Sequence, residues 1–99
     1  MPAPGYRMKY VDVHGKQQFL SEHSAAILKH VAAADEPVGR REVTNWRISE
    51  IRHLQDRGLL EVRWLERADP DREGAWEVQG VTEAGRVVLT AWNTREEER

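Results

Sequence analysis

The hydrophobic positions change period along the chain, and each change marks an element. Tyr6-Arg7-Met8-Lys9-Tyr10-Val11-Asp12-Val13 is rich in β-formers with a loose alternation. His14-Gly15 offers a turn and Lys16 to Leu20 returns, which predicts a hairpin over residues 6–20. The period then becomes helical. Ser21 suits an N-cap and Glu22 the first turn, where the helix dipole favours a negative charge. Ser24, Ile27, Leu28 and Val31 make one stripe of a helix over 21–34, which ends before Glu36-Pro37 because the residue preceding proline disfavours helix. Pro37-Val38-Gly39 reads as a turn or a very short strand. Residues 40–44 read as about one helical turn, with Val43 as its buried anchor.

The next helix, over 45–57, is the one around which the chain is organised. Thr44 or Asn45 can cap it, and Ile48, Ile51, Leu54 and Gln55 lie on one face. Gly58 can take the left-handed conformation that closes a helix. Leu60, Val62 and Trp64 then alternate with Glu61, Arg63 and Glu66, the period of a half-buried strand. A hairpin over 59–79 turns through the turn-rich run Ala68-Asp69-Pro70-Asp71-Arg72-Glu73-Gly74 and returns with Trp76 and Val78 on one face. That arrangement brings Trp64 near Trp76. Thr82 caps a last helix over 82–93, whose apolar stripe is Ala84, Val87, Val88, Ala91 and Trp92. Residues 1–5 and 95–99 are expected to be tails around one α+β domain over 6–94.

Composition narrows the chemistry. Ninety-nine residues allow one modest core and no deep cleft. With no cysteine, disulfides, thiolate metal sites and cysteine nucleophiles are excluded. No apolar run approaches the roughly 20 residues that cross a bilayer, and Met1-Pro2-Ala3-Pro4-Gly5 has no signal-peptide core, so a cytoplasmic protein without a membrane segment is expected. His23 and His30 stand two helical turns apart, too far to share one ion, and Asp69, Asp71 and Glu73 lack the spacing and glycine of a calcium loop. No phosphate loop and no nucleophile–base set is present, so neither cofactor nor metal nor catalysis is expected.

The net charge is −2, which counts mildly against nucleic-acid binding. Its distribution does not. Val38 to Arg67 carries seven arginines against five acids, hence +2, and the remainder is therefore −4. A basic face on an acidic chain is open, as is a merely solvated surface.

Opposite Ile51 on the central helix lie Trp46, Ser49 and His53, flanked by Asn45, Arg52 and Asp56 on one side and by Glu50 and Arg57 on the other. Arg47-Ile48-Ser49-Glu50-Ile51-Arg52 followed by Leu54-Gln55-Asp56-Arg57-Gly58-Leu59 resembles the recognition helix of small winged helix-turn-helix proteins and its exit into the wing. Val81-Thr82-Glu83-Ala84-Gly85-Arg86 is similar to the threonine-x-x-glycine-arginine turn that follows the wing in regulators of the multidrug kind. The resemblance spans roughly Ser21 to Trp92, leaving the first hairpin outside it and making the 40–44 helix shorter than usual.

The resemblance implies a winged-helix fold and a small prokaryotic, archaeal or viral transcriptional regulator, with helix 45–57 in the major groove of duplex DNA. Asn45, Ser49, Arg52 and His53 would then face bases or phosphates. Arg47 would reach a phosphate or pair with Glu50. Arg40 and Arg41 would clamp phosphates or pair with Glu36 and Glu42. Arg67 and Arg72 would touch DNA from the wing unless Asp69, Asp71 and Glu73 occupy them. Trp64, Trp76 and Trp92 fall on apolar faces, while Trp46 either staples the short helix to the next or stands exposed. Two half-sites imply a homodimer, through the first hairpin or the last helix. Two rival readings remain: a winged helix that binds a protein such as a component of the transcription machinery, and an architectural DNA binder.

Overall fold

A computed structural model describes residues 7–39, 46–64 and 76–97. Two antiparallel sheets and three helices follow in the order β1 (Arg7–Val11), β2 (Gln17–Ser21), α1 (Glu22–Ala33), β3 (Val38–Gly39), α2 (Ile48–Asp56), β4 (Leu60–Trp64), β5 (Trp76–Val81) and α3 (Glu83–Glu97). The class is α+β, as the periodicity predicts. β1 and β2 form a hairpin with Lys9 opposite Phe19. The second sheet has the order β3-β5-β4, so the two-residue strand at Val38 closes one side of the later hairpin.

Alternation decides what each strand buries. In β1 and β2, Met8, Tyr10 and Leu20 turn inward, while Arg7, Lys9, Val11 and Phe19 face out. In β5, Trp76 and Val78 are buried, and a bulge opposite Glu61/Val62 resets the register so that Val81 pairs with Leu60. Trp64 pairs with Trp76 across the hairpin. The core gathers Ala25, Ile27, Leu28 and Val31 from α1, Ile51 and Leu54 from α2, and Val88, Leu89 and Trp92 from α3 against the second sheet. Trp46 is part of this packing. It stacks on Trp76 at 6.0 Å between ring centroids and meets the His30 ring edge-on at 5.3 Å. Of the two readings open for Trp46, it packs against the core.

α1 begins as its residues predict, with Ser21 accepting the Ser24 N–H at 3.2 Å. Its buried stripe runs through Ala25, with Ser24 bonded back to Ser21. α2 departs from expectation at its start. The first helical residue is Ile48 and the N-cap position is Arg47, whose side chain makes no capping bond, so a helix beginning at Asn45 is corrected. The expected caps Thr44 and Asn45, like the 40–44 helix and Val43, lie outside the described residues.

α2 ends as predicted, and more firmly. Gly58 has φ +78°. Its N–H donates to Gln55 O and that of Leu59 to Leu54 O, both at 2.9 Å, which is the Schellman closure. The next carbonyls are taken by other elements: His14 Nε2 contacts Asp56 O at 2.9 Å, Val13 N–H donates to Arg57 O at 3.4 Å, and Thr82 serves Gly58 O and Leu59 O. The open end of α2 is therefore saturated by the turn of the first hairpin and the cap of α3.

α3 is rotated and longer than its pattern suggests. Gly85, Val88, Leu89 and Trp92 are buried, whereas Val87 is 66% exposed and Ala91 faces solvent. Gly85 causes the rotation, since a Cβ there would overlap the Leu59 carbonyl. The helix runs through the expected tail to Glu97 because Glu96 receives the Trp92 indole N–H and the Lys29 ammonium of α1, the latter at 2.9 Å. Among the described residues no helix is long and apolar enough to cross a membrane.

Candidate nucleic-acid interface

α2 has two unequal faces. Ile51 and Leu54 are buried at 0% and 1% exposure, with Ile48 half-buried beside them. Ser49, Arg52, His53 and Asp56 are exposed and, with the edge of Ile48, line a shallow open depression. Three residues expected to face a nucleic acid, Ser49, Arg52 and His53, thus share one surface. Arg47 is exposed at its N-terminal end. Arg40, Arg41, Asn45, Arg67 and Arg72 lie outside the described residues.

Two acids bear on this face differently. Glu50 bonds His23 of α1 at 2.7 Å, which draws its carboxylate toward the α1 side and leaves no pairing with Arg47. Asp56 stays exposed in the depression, and among the described residues its carboxylate makes no hydrogen bond or ion pair.

Arg52 is positioned from beneath. Its guanidinium lies 5.2 Å from the centre of the Trp64 ring. That indole is itself held, because Trp64 Nε1–H donates to Gln55 Oε1 at 2.8 Å and Gln55 Nε2 donates to Val62 O at 3.4 Å. The helix and β4 are therefore stitched by one amide, and the ring it fixes supports the cation. A cation–π contact is not a hydrogen bond, and the guanidinium carries five N–H donors with which to meet other acceptors. A polar glutamine on the otherwise apolar stripe of α2 was the sequence signal for this contact. Without the α2–β4 distance, nothing tied it to Trp64 or Arg52.

At the far end of α2 the hairpin turn is anchored by Asp12, only 7% exposed, which accepts from His14 N–H at 2.9 Å, Lys16 N–H at 3.0 Å and Gln18 Nε2 at 3.1 Å. Burial alone would raise its carboxyl pKa, but the Lys16, Gln18 and His14 donors outweigh it and hold the group below its ordinary value. Arg57 Nη1 reaches the Tyr10 hydroxyl at 3.3 Å, so the C-terminal arginine of α2 is directed into the hairpin, away from the exposed face. Among the described residues no three His, Asp or Glu side chains are grouped to hold a metal.

The chain matches no family model, no curated protein and no solved structure.

Proposed function

We propose that this chain is a winged-helix protein that binds duplex DNA in a sequence-specific manner through α2, and that it acts in the cytoplasm as a small transcriptional regulator. The observation that carries this reading is the α2 face, where Arg52, Ser49 and His53 stand exposed on a helix whose opposite side buries Ile51 and Leu54. The element order α1-β3-α2-β4-β5-α3 and the sheet order β3-β5-β4 support the winged-helix description. In this reading the exposed face of α2 enters the major groove, its N-terminal half foremost, where hydroxyl, imidazole and guanidinium groups meet base edges and phosphates. Arg47 takes a phosphate at its entry, and arginines of the 40–44 and 65–75 segments add backbone contacts. A homodimer supplies the second half-site.

Replacing Arg52 and Ser49 tests it. Arg52→Ala should weaken binding to a selected duplex by about 1–3 kcal/mol, and Ser49→Ala by less. Unchanged affinity of the double variant for every duplex sinks the reading.

One observation favours a second function. Val11 and Phe19 stand 66% and 49% exposed on the outer face of the β1–β2 hairpin, which suits contact with a protein partner such as the transcription machinery. Retention on heparin at low salt separates the two, because only a phosphate-binding face requires it.

A further inference from the structure

Arg52 and Asp56 are four residues apart on α2, the spacing at which opposite charges ordinarily meet. They do not pair here. Arg52 lies on the Trp64 ring at 5.2 Å, and both residues line the same open depression. The depression thus presents a planar donor fork and, one turn away, an acceptor-only carboxylate.

A face meant only for phosphates gains nothing from that carboxylate, which repels them. A G·C pair uses both groups. Guanine offers two acceptors, N7 and O6, to an arginine fork, and cytosine offers an amino donor to a carboxylate. An A·T pair fits the two groups less well. Adenine offers N7 as a single acceptor beside its own amino donor, so an arginine fork cannot bind it through two bonds, and a carboxylate on that amino group would compete with the fork for the same base. Resting on the DNA-binding reading above, we infer that the depression on α2 selects G·C pairs, with Arg52 on guanine and Asp56 on cytosine. Trp64 is the positioning residue. Its ring keeps Arg52 off Asp56, and the Gln55 bond at 2.8 Å keeps the ring in place.

The experiment uses the full chain and two fluorescein-labelled 20-bp duplexes, one of alternating G·C and one of alternating A·T pairs, with anisotropy read at low salt. The wild type should prefer the G·C duplex roughly tenfold or more, the discrimination expected of one good bidentate contact. Trp64→Leu frees Arg52 to swing onto Asp56 and should cut that preference to within about threefold, while Trp64→Phe, which keeps a ring, should retain part of it. Asp56→Ala should also lose preference, yet bind the A·T duplex more tightly because a repelling charge is gone. Asp56 is exposed, so this variant remains informative should Trp64→Leu fail to fold.

Wild-type preference that survives both Asp56→Ala and Trp64→Leu overturns the inference while leaving DNA binding intact. A wild type that favours the A·T duplex does the same. Failure of the wild type to bind either duplex overturns the inference together with the DNA-binding reading.

Discussion

Gly58 closes α2 at φ +78°, and a Cβ there would overlap both γ-carbons of Val13 in the hairpin turn. Gly58→Ala should therefore cost at least about 1–2 kcal/mol, the penalty of a left-handed L-residue, with the collision added. Chemical denaturation measures it, and a cost below a few tenths would show that the turn does not press on α2. Asp12 gives a pH signature at the same junction. A carboxyl held lower in the fold than in the unfolded chain stabilises above its ordinary value of 3.8 and loses that contribution as pH falls through the folded value. The unfolding midpoint should drop on acidification below about pH 4, and Asp12→Asn should flatten that drop while lowering the midpoint at neutral pH. An equal acid drop in both proteins would assign it to other carboxylates. Ser21, Gly58 and Thr82 were legible from the chain because capping is local chemistry. Arg52 was legible as an exposed cation, whereas its support by Trp64 and Gln55 depends on how closely β4 lies to α2.

At the scale of elements, α3 turns on Gly85. Glycine within an exposed helix is usually about 0.5–1 kcal/mol worse than alanine, so Gly→Ala there ordinarily stabilises. Here the added Cβ would meet the Leu59 backbone, so Gly85→Ala should lower the thermal midpoint. A rise would mean that α3 can shift away without loss. The same close approach explains why the apolar pattern placed α3 almost one residue out of phase: Val87 and Val88 are equally apolar in sequence, and tertiary contact chooses between them. The helix end was missed for a related reason. The run from Thr94 reads as a solvated tail, whereas Glu96 receives the Trp92 indole N–H and the Lys29 ammonium of α1, contacts that hold it helical through Glu97. β1, β2, α1, the end of α2 and the β4–β5 hairpin follow from periodicity and turn chemistry. The later start of α2 does not, because a plausible cap at Thr44 or Asn45 says nothing of where Trp46 must go to stack on Trp76.

For the whole molecule, charge and surface must be reconciled. The chain carries −2 overall, yet the exposed face of α2 presents Arg52, with Arg47 at its start and Asp56 one turn on, while Glu50 is held against His23. On the proposed reading, association with DNA should be driven locally and respond steeply to ionic strength, since each phosphate neutralised releases counterions. The most direct test of α2 as a DNA-reading helix is fluorescence anisotropy of the wild type and Arg52→Ala with random-sequence duplex DNA, titrated with salt. Binding at low salt, a logarithmic affinity that falls linearly with the logarithm of salt concentration, and weaker binding of Arg52→Ala are the predicted results. No binding at the lowest salt, or a variant that titrates identically to the wild type, would contradict the account.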